Sequence, residues 1–209
     1  KSVRPSIFGN IFEASSNQER RHSLGQHFTS EPDILKVVRP TIIEPWEARI
    51  GEAKTITDLE SVLFNLQQFR VLDPACGSGN FLYMAYNALK DLEAAAMKKL
   101  RQRRSAKETK MQPSLAFVNT NQFYGLDTDA FAVELARVTL MIARKVAHDR
   151  LNLTEKELPL DNLDKNIIQA DALFDKWPYA DAIIGNPPFV AVKNKRLELG
   201  DEYVEKLFS

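Results

Sequence analysis

Asp73-Pro74-Ala75-Cys76-Gly77-Ser78-Gly79-Asn80-Phe81 follows the short apolar run Phe69-Arg70-Val71-Leu72 and opens a segment that reads as a helix through about Arg104. A strand, a glycine-rich turn and a helix in that order commit the chain to a crossover architecture. The later segments repeat the alternation. Phe123-Tyr124-Gly125-Leu126-Asp127 is a strand candidate, and a helix is expected from about Asp129 to Ala147, with Phe131, Leu135, Val138 and Ile142 at helical spacing. Asn166 to Gln169 and Ala180 to Ile184 supply two more short apolar strands. The expected fold class is α/β, a mostly parallel doubly wound sheet with helices on its faces.

Upstream, residues 1–28 read as a polar, irregular arm. Ser30-Glu31-Pro32-Asp33 places a capping serine, a first-turn proline and an acid where a helix starts, and Pro40 is expected to interrupt that helix. Thr57 to Glu60 has capping-box spacing, with Leu59, Val62, Leu63 and Leu66 following on one face. Two short helices should therefore precede the sheet. The chain divides into residues 1–66, an arm and helices, and residues 67–209, which carry the sheet.

With 209 residues, 44% of them hydrophobic, the chain can bury one core. Lys plus Arg and Asp plus Glu both total 28, so any affinity for nucleic acid must come from a local patch. Cys76 is the sole cysteine, which excludes an internal disulfide framework and a multi-cysteine metal site and fits a reducing cytoplasm. His22, His27 and His148 lack metal-ligand spacing, so no metal site is expected. No apolar run approaches the roughly 20 residues of a membrane span. The chain starts without Met and stops in a charged, helix-like stretch with no closing strand, so a piece of a longer protein is expected. Between Lys98 and Lys110 stand seven Lys or Arg against one acid, Glu108. They read as a solvated helix end and linker, the alternative being contact with DNA phosphates.

The turn Gly77-Ser78-Gly79 lets backbone approach a ligand closely, and the helix that follows offers free N–H donors. Leu82 stands where a dinucleotide fingerprint requires a third small residue, which disfavours a pyrophosphate site. Asp73, at a strand end, could instead pair with a cationic amine. Asp127 ends the second strand, where an acid accepts from ribose hydroxyls, and its structural alternative is a helix cap, a role equally open to Asp129. Asp171 ends the third and could accept from an adenine amino group, or simply close a turn. Acids at successive strand ends fall on the edge where open α/β sheets bind ligands.

Asn186-Pro187-Pro188-Phe189 follows Ile183-Ile184-Gly185 on the same edge. Consecutive prolines fix φ and remove two donors, so the turn presents carbonyl oxygens in a rigid frame. An aromatic amine has its lone pair delocalised into the ring and is a poor nucleophile until both N–H groups are hydrogen-bonded. The Asn186 side-chain oxygen and the Pro187 carbonyl could accept them, leaving the lone pair aimed at an electrophilic methyl group. Phe189 could stack on a base rotated out of a duplex. The structural alternative is a rigid connector with Phe189 as core filler.

On Gly25-Gln26-His27-Phe28-Thr29-Ser30, Asp73 to Phe81, Tyr124 to Asp129, Asp171 and Asn186 to Phe189, the chain resembles the N6-adenine DNA methyltransferases. The short interval from Asp171 to Asn186 resembles their gamma arrangement, in which recognition follows catalysis. The tail Leu197 to Leu207 looks like the corresponding stretch of large single-chain type II restriction-modification enzymes of the MmeI kind. The resemblance implies a Rossmann-like class I methyltransferase sheet, partial here because its later strands are missing. It implies S-adenosylmethionine as cofactor, with Thr29 near the methionine carboxylate. Phe28, Thr29, Asp73, Pro74, Ala75, Cys76, Gly77, Gly79, Asn80, Phe81, Asp127, Thr128, Asp171 and Ala172 would bind the cofactor. Asn186, Pro187, Pro188 and Phe189 would be catalytic. The implied partners are double-stranded DNA with a flipped adenine and the rest of the parent polypeptide or a specificity subunit. A methyltransferase of protein glutamine or of an RNA base shares the Asn-Pro-Pro chemistry, and a cofactor-binding fragment inactive without its missing part is the remaining alternative.

Overall fold

A computed structural model describes residues 29–104, 117–151, 162–188 and 200–208. Ser30 caps helix α1 (Glu31–Val38) by accepting from the Asp33 N–H, and Ile34 and Val38 are its buried stripe. Pro40 does not end the helical path. Arg39–Ile43 widen into a single π turn that accommodates a residue without an N–H, and the path continues as α2 (Glu44–Glu52). Among the described residues three helices therefore precede the sheet, not two. The third, α3 (Ile56–Gln68), is capped by Thr55 and Asp58, two residues earlier than expected. The Asp58 carboxylate accepts the N–H groups of both Lys54 and Thr55, at 2.9 and 2.8 Å, and that locks the start. Leu59, Val62, Leu63 and Leu66 are buried, as the spacing requires.

The sheet comprises β1 (Val71–Asp73), β2 (Phe123–Asp127), β3 (Ile167–Gln169) and β4 (Ala182–Ile183). Their order is β3-β2-β1-β4 and every pairing is parallel. Helix α4 (Asn80–Arg103) links β1 to β2, α5 (Ala130–Leu151) lies between β2 and β3, and α6 (Asp201–Phe208) follows β4. The chain steps outward from β1 to β3 and then returns to the other side of β1 for β4. The order thus reverses between β1 and β4, where side-by-side strands send their connections in opposite directions and leave a crevice beyond their carboxyl ends.

Helix α5 buries a different face from the one its large apolar residues suggested. Phe131 and Val138 are about half exposed, whereas Ala132, Val133, Ala136, Leu140, Ala143 and Ala147 are buried. The small residues win because α5 lies so close to the cofactor-type turn that a Cβ on Gly79 would meet the Ala136 Cα at 2.9 Å. Close packing of backbone on backbone outweighs the larger side chains here.

Two groups of cations have structural partners. Lys90 is fully buried; its ammonium donates to Glu93 at 2.9 Å and to the Val118 carbonyl at 3.2 Å, while Glu93 accepts the N–H groups of Phe117 and Val118. A buried ion pair is tolerable when its remaining hydrogen-bonding capacity is met, and here it pins the chain as it returns towards β2. In the basic run, Lys99 donates to the Ile50 and Gly51 carbonyls at the end of α2, Arg103 to the Lys54 carbonyl, and Arg104 pairs with Glu60. Lys99 and Arg103 thus serve the end of α2 and Arg104 an acid of α3, tertiary partners that the helix-end reading does not include; Lys98, Arg101 and Arg103 are exposed, and residues 105–116, the expected linker, lie outside the described residues.

Candidate active site

Three carboxylates stand at the ends of β1, β2 and just past β3, in neighbouring strands of one sheet. Asp73 is almost entirely buried. Its Oδ1 accepts the Ala75 N–H at 3.1 Å, and its Oδ2 has no hydrogen-bond partner among the described residues. Burial, aided by the nearby Asp127 charge and opposed by the Ala75 N–H, pushes the Asp73 carboxyl up to about 7. Asn80, at the start of α4, is also buried, its Oδ1 without a partner among the described residues, and its amide donates to the Ser78 hydroxyl at 3.1 Å. Buried acceptors of this kind, one at the end of β1 and one at the start of the helix that follows it, fit a ligand that brings positive charge or N–H donors.

Asp127 holds the glycine turn. Its Oδ2 accepts the Gly77 N–H at 2.8 Å and its Oδ1 the Asp129 N–H at 2.9 Å, while Asp129 itself caps α5 by accepting from Phe131 and Ala132. The cap of α5 thus falls to Asp129 and not to Asp127, the two positions the sequence leaves open for it. Burial raises the Asp127 carboxyl above its ordinary value although its backbone donors pull the other way. A carboxylate has about four lone-pair sites, so these donors leave it capacity to accept a further bond. Cys76 is buried, its thiol pushed up by burial, and its N–H donates to the Leu126 carbonyl at 2.9 Å, so the side chain is packing and the backbone is the turn. Phe81 likewise belongs to the core. Thr128 accepts from the Gln169 amide at 2.9 Å through its carbonyl.

The Asp171 carboxylate has two partners among the described residues. Its Oδ1 accepts the Leu173 N–H at 2.9 Å and its Oδ2 the Tyr203 hydroxyl at 2.8 Å. Across the crevice, Gly185 lies directly against the first acid. A Cβ there would stand 2.5 Å from the Asp73 Oδ1, and its φ of 151° is one that side chains avoid. The sequence offered one signal for this position, a glycine between an apolar strand and Asn-Pro-Pro.

Asn186, exposed at the crevice mouth, donates through its amide nitrogen to the Thr29 hydroxyl at 3.2 Å, across 157 residues of sequence. The N-terminal segment and the Asn-Pro-Pro turn are therefore in contact. Thr29, for which the resemblance implies a place near the methionine carboxylate, here accepts from the Asn186 amide, so that Oδ1 is left as an acceptor. Pro187 and Pro188 are exposed. Phe28 and Phe189 lie outside the described residues.

A parallel sheet that reverses direction beside a glycine turn, with acids at its strand ends, defines a Rossmann-like class I methyltransferase fold. A solved structure of the type IIL restriction-modification enzyme MmeI in complex with DNA is similar to 94% of this chain, with a TM-score of 0.77 and 27% identity, over 28% of that protein. The family model described as the MmeI DNA-methyltransferase domain matches residues 48–208, and the chain belongs to that family. DNA methyltransferase A of Bacillus subtilis (strain 168) is 32% identical over 94% of this chain and 23% of its own length. Adenine-specific methyltransferase PglX of Streptomyces coelicolor is 25% identical over 64% of this chain and 13% of its own length. The chain spans under a third of each of these relatives.

One prediction concerns Asp127. In a full-length protein carrying this domain, Asp127→Asn should weaken S-adenosylmethionine by about 1.5 kcal/mol, the loss of one charged acceptor. Isothermal titration would read this, and an unchanged affinity would remove the carboxylate from the cofactor site.

Proposed function

We propose that this domain transfers the methyl group of S-adenosylmethionine to the N6 amino group of adenine in DNA, with the base rotated out of the duplex, as part of a restriction-modification or related defence enzyme. The observation that carries the reading is the side chain of Asn186, held by Thr29; Asn186 stands directly before Pro187 and directly after Gly185, which lies against Asp73, whose Oδ2 has no hydrogen-bond partner among the described residues. When bound, S-adenosylmethionine supplies an electrophilic methyl carbon on a cationic sulfonium. The chain's own residues hold and orient. Asp73 and Asn80 offer acceptors to a cationic ligand, Asp127 to ribose hydroxyls, and Asp171 to an adenine amino group. Asn186 Oδ1 and the Pro187 carbonyl accept the two N–H groups of the target amine and turn its lone pair towards the methyl carbon. Asn186 Oδ1 and the Pro187 carbonyl hold the amine protons while the methyl group is transferred and S-adenosylhomocysteine is left, until the surplus proton passes to water. Positioned acceptors suffice; no strong base is required.

The DNA in the MmeI complex and the adenine specificity in the name of the Streptomyces relative support the choice of substrate. Incubating a full-length protein with methyl-labelled cofactor and its target duplex should yield N6-methyladenine on nucleoside analysis. Label in N4-methylcytosine, RNA or protein glutamine would overturn the assignment.

A further inference from the structure

The carboxylate just past β3 is held more tightly than a turn residue needs to be. Its own N–H donates to Asp175 at 2.7 Å, Leu173 donates to its Oδ1, and Tyr203 of α6 donates to its Oδ2 at 2.8 Å. The Tyr203 ring packs edge-on to Phe174, with centroids 5.1 Å apart at 75°, and the Lys206 ammonium lies 4.0 Å above the Phe174 ring. An eight-residue helix such as α6 is too short to persist alone, so these contacts and the buried Val204 hold it in place. Burial, together with the neighbouring Asp171 carboxylate, raises the Tyr203 phenol to about 12, and the hydroxyl therefore remains a donor at any working pH.

We propose that Tyr203 is a positioning residue for the cofactor's adenine: by occupying one lone pair of Asp171 Oδ2 it fixes the carboxylate rotamer that presents the remaining lone pairs to the adenine amino group. The proposal rests on the reading of Asp171 given above. A carboxylate oxygen has two lone pairs, so neither protein donor excludes the ligand. What they remove is rotation, which an acceptor must otherwise lose on binding. The same contact ties α6, which follows the Asn-Pro-Pro turn in sequence, to the cofactor side of the crevice.

Tyr203→Phe deletes the hydroxyl and keeps the ring on Phe174. Affinities of the full-length protein would be measured for S-adenosylhomocysteine and for its inosine counterpart, which carries a carbonyl in place of the amino group. The unaltered protein should prefer the adenosine form by on the order of tenfold. Y203F should lose most of that preference by weakening the adenosine form alone, whereas a merely structural role would weaken both forms equally, and that result would overturn the proposal. If D171N abolishes the preference and Y203F leaves it intact, the proposal fails while the reading of Asp171 stands. If the unaltered protein shows no preference, both fail.

Discussion

Replacing Asn186 with alanine in a full-length protein is expected to cut methyl transfer at least about a hundredfold, the cost of losing one positioned acceptor in the transition state. Cofactor affinity and thermal stability should stay near their unaltered values. The reason lies in the placement of the side chain: Asn186 is exposed, and the contact it gives up is an amide-to-hydroxyl hydrogen bond with Thr29 at 3.2 Å. Nothing in the core rests on it. Single-turnover rates and cofactor titration on the same preparation separate the two quantities. A variant that methylates at the unaltered rate would remove Asn186 from catalysis, and one that loses cofactor affinity in parallel would make it a binding group.

The contrast between Asn186 and its neighbours shows what the sequence could and could not convey. Strand β2 lies where its apolar run stood, and the glycine turn, the three strand-end acids and Asn186 all fall on one edge, because local alternation and turn chemistry dictate them. Helix α5 was misjudged in its face because burial there follows shape. Gly79 and Ala136 meet backbone to backbone, a contact that apolar periodicity cannot encode. The Lys90 and Glu93 pair gives no signal in sequence, and it is the chain returning through Phe117 and Val118 that makes it interior. Tyr203 stands in the tail Leu197 to Leu207, whose resemblance assigns it no role. Its partner Asp171 lies 32 residues away, and a single hydroxyl in a short amphipathic helix gives no local sign of a tertiary hydrogen bond.

Asp73 gives the second large effect, through pH. Its carboxyl is raised from 3.8 to about 7, first by burial and then by the Asp127 charge, with the Ala75 N–H opposing. A raised acid binds its proton more tightly in the folded state than in the unfolded one. Its contribution to stability is therefore fully present below about pH 4 and is lost as pH climbs to about 7. A cationic ligand reverses the preference, because an opposite charge in the crevice favours the ionised form. Binding S-adenosylmethionine below pH 7 must then expel a proton, and affinity should rise about tenfold per pH unit, roughly a hundredfold between pH 5 and 7, before levelling off. Calorimetry at pH 6 in two buffers of different ionisation enthalpy should show close to one proton released per cofactor bound. Asp73→Asn should flatten the profile while keeping the side chain's shape beneath Gly185. If affinity is level from pH 5 to 7 in the unaltered protein, the cation does not sit on Asp73.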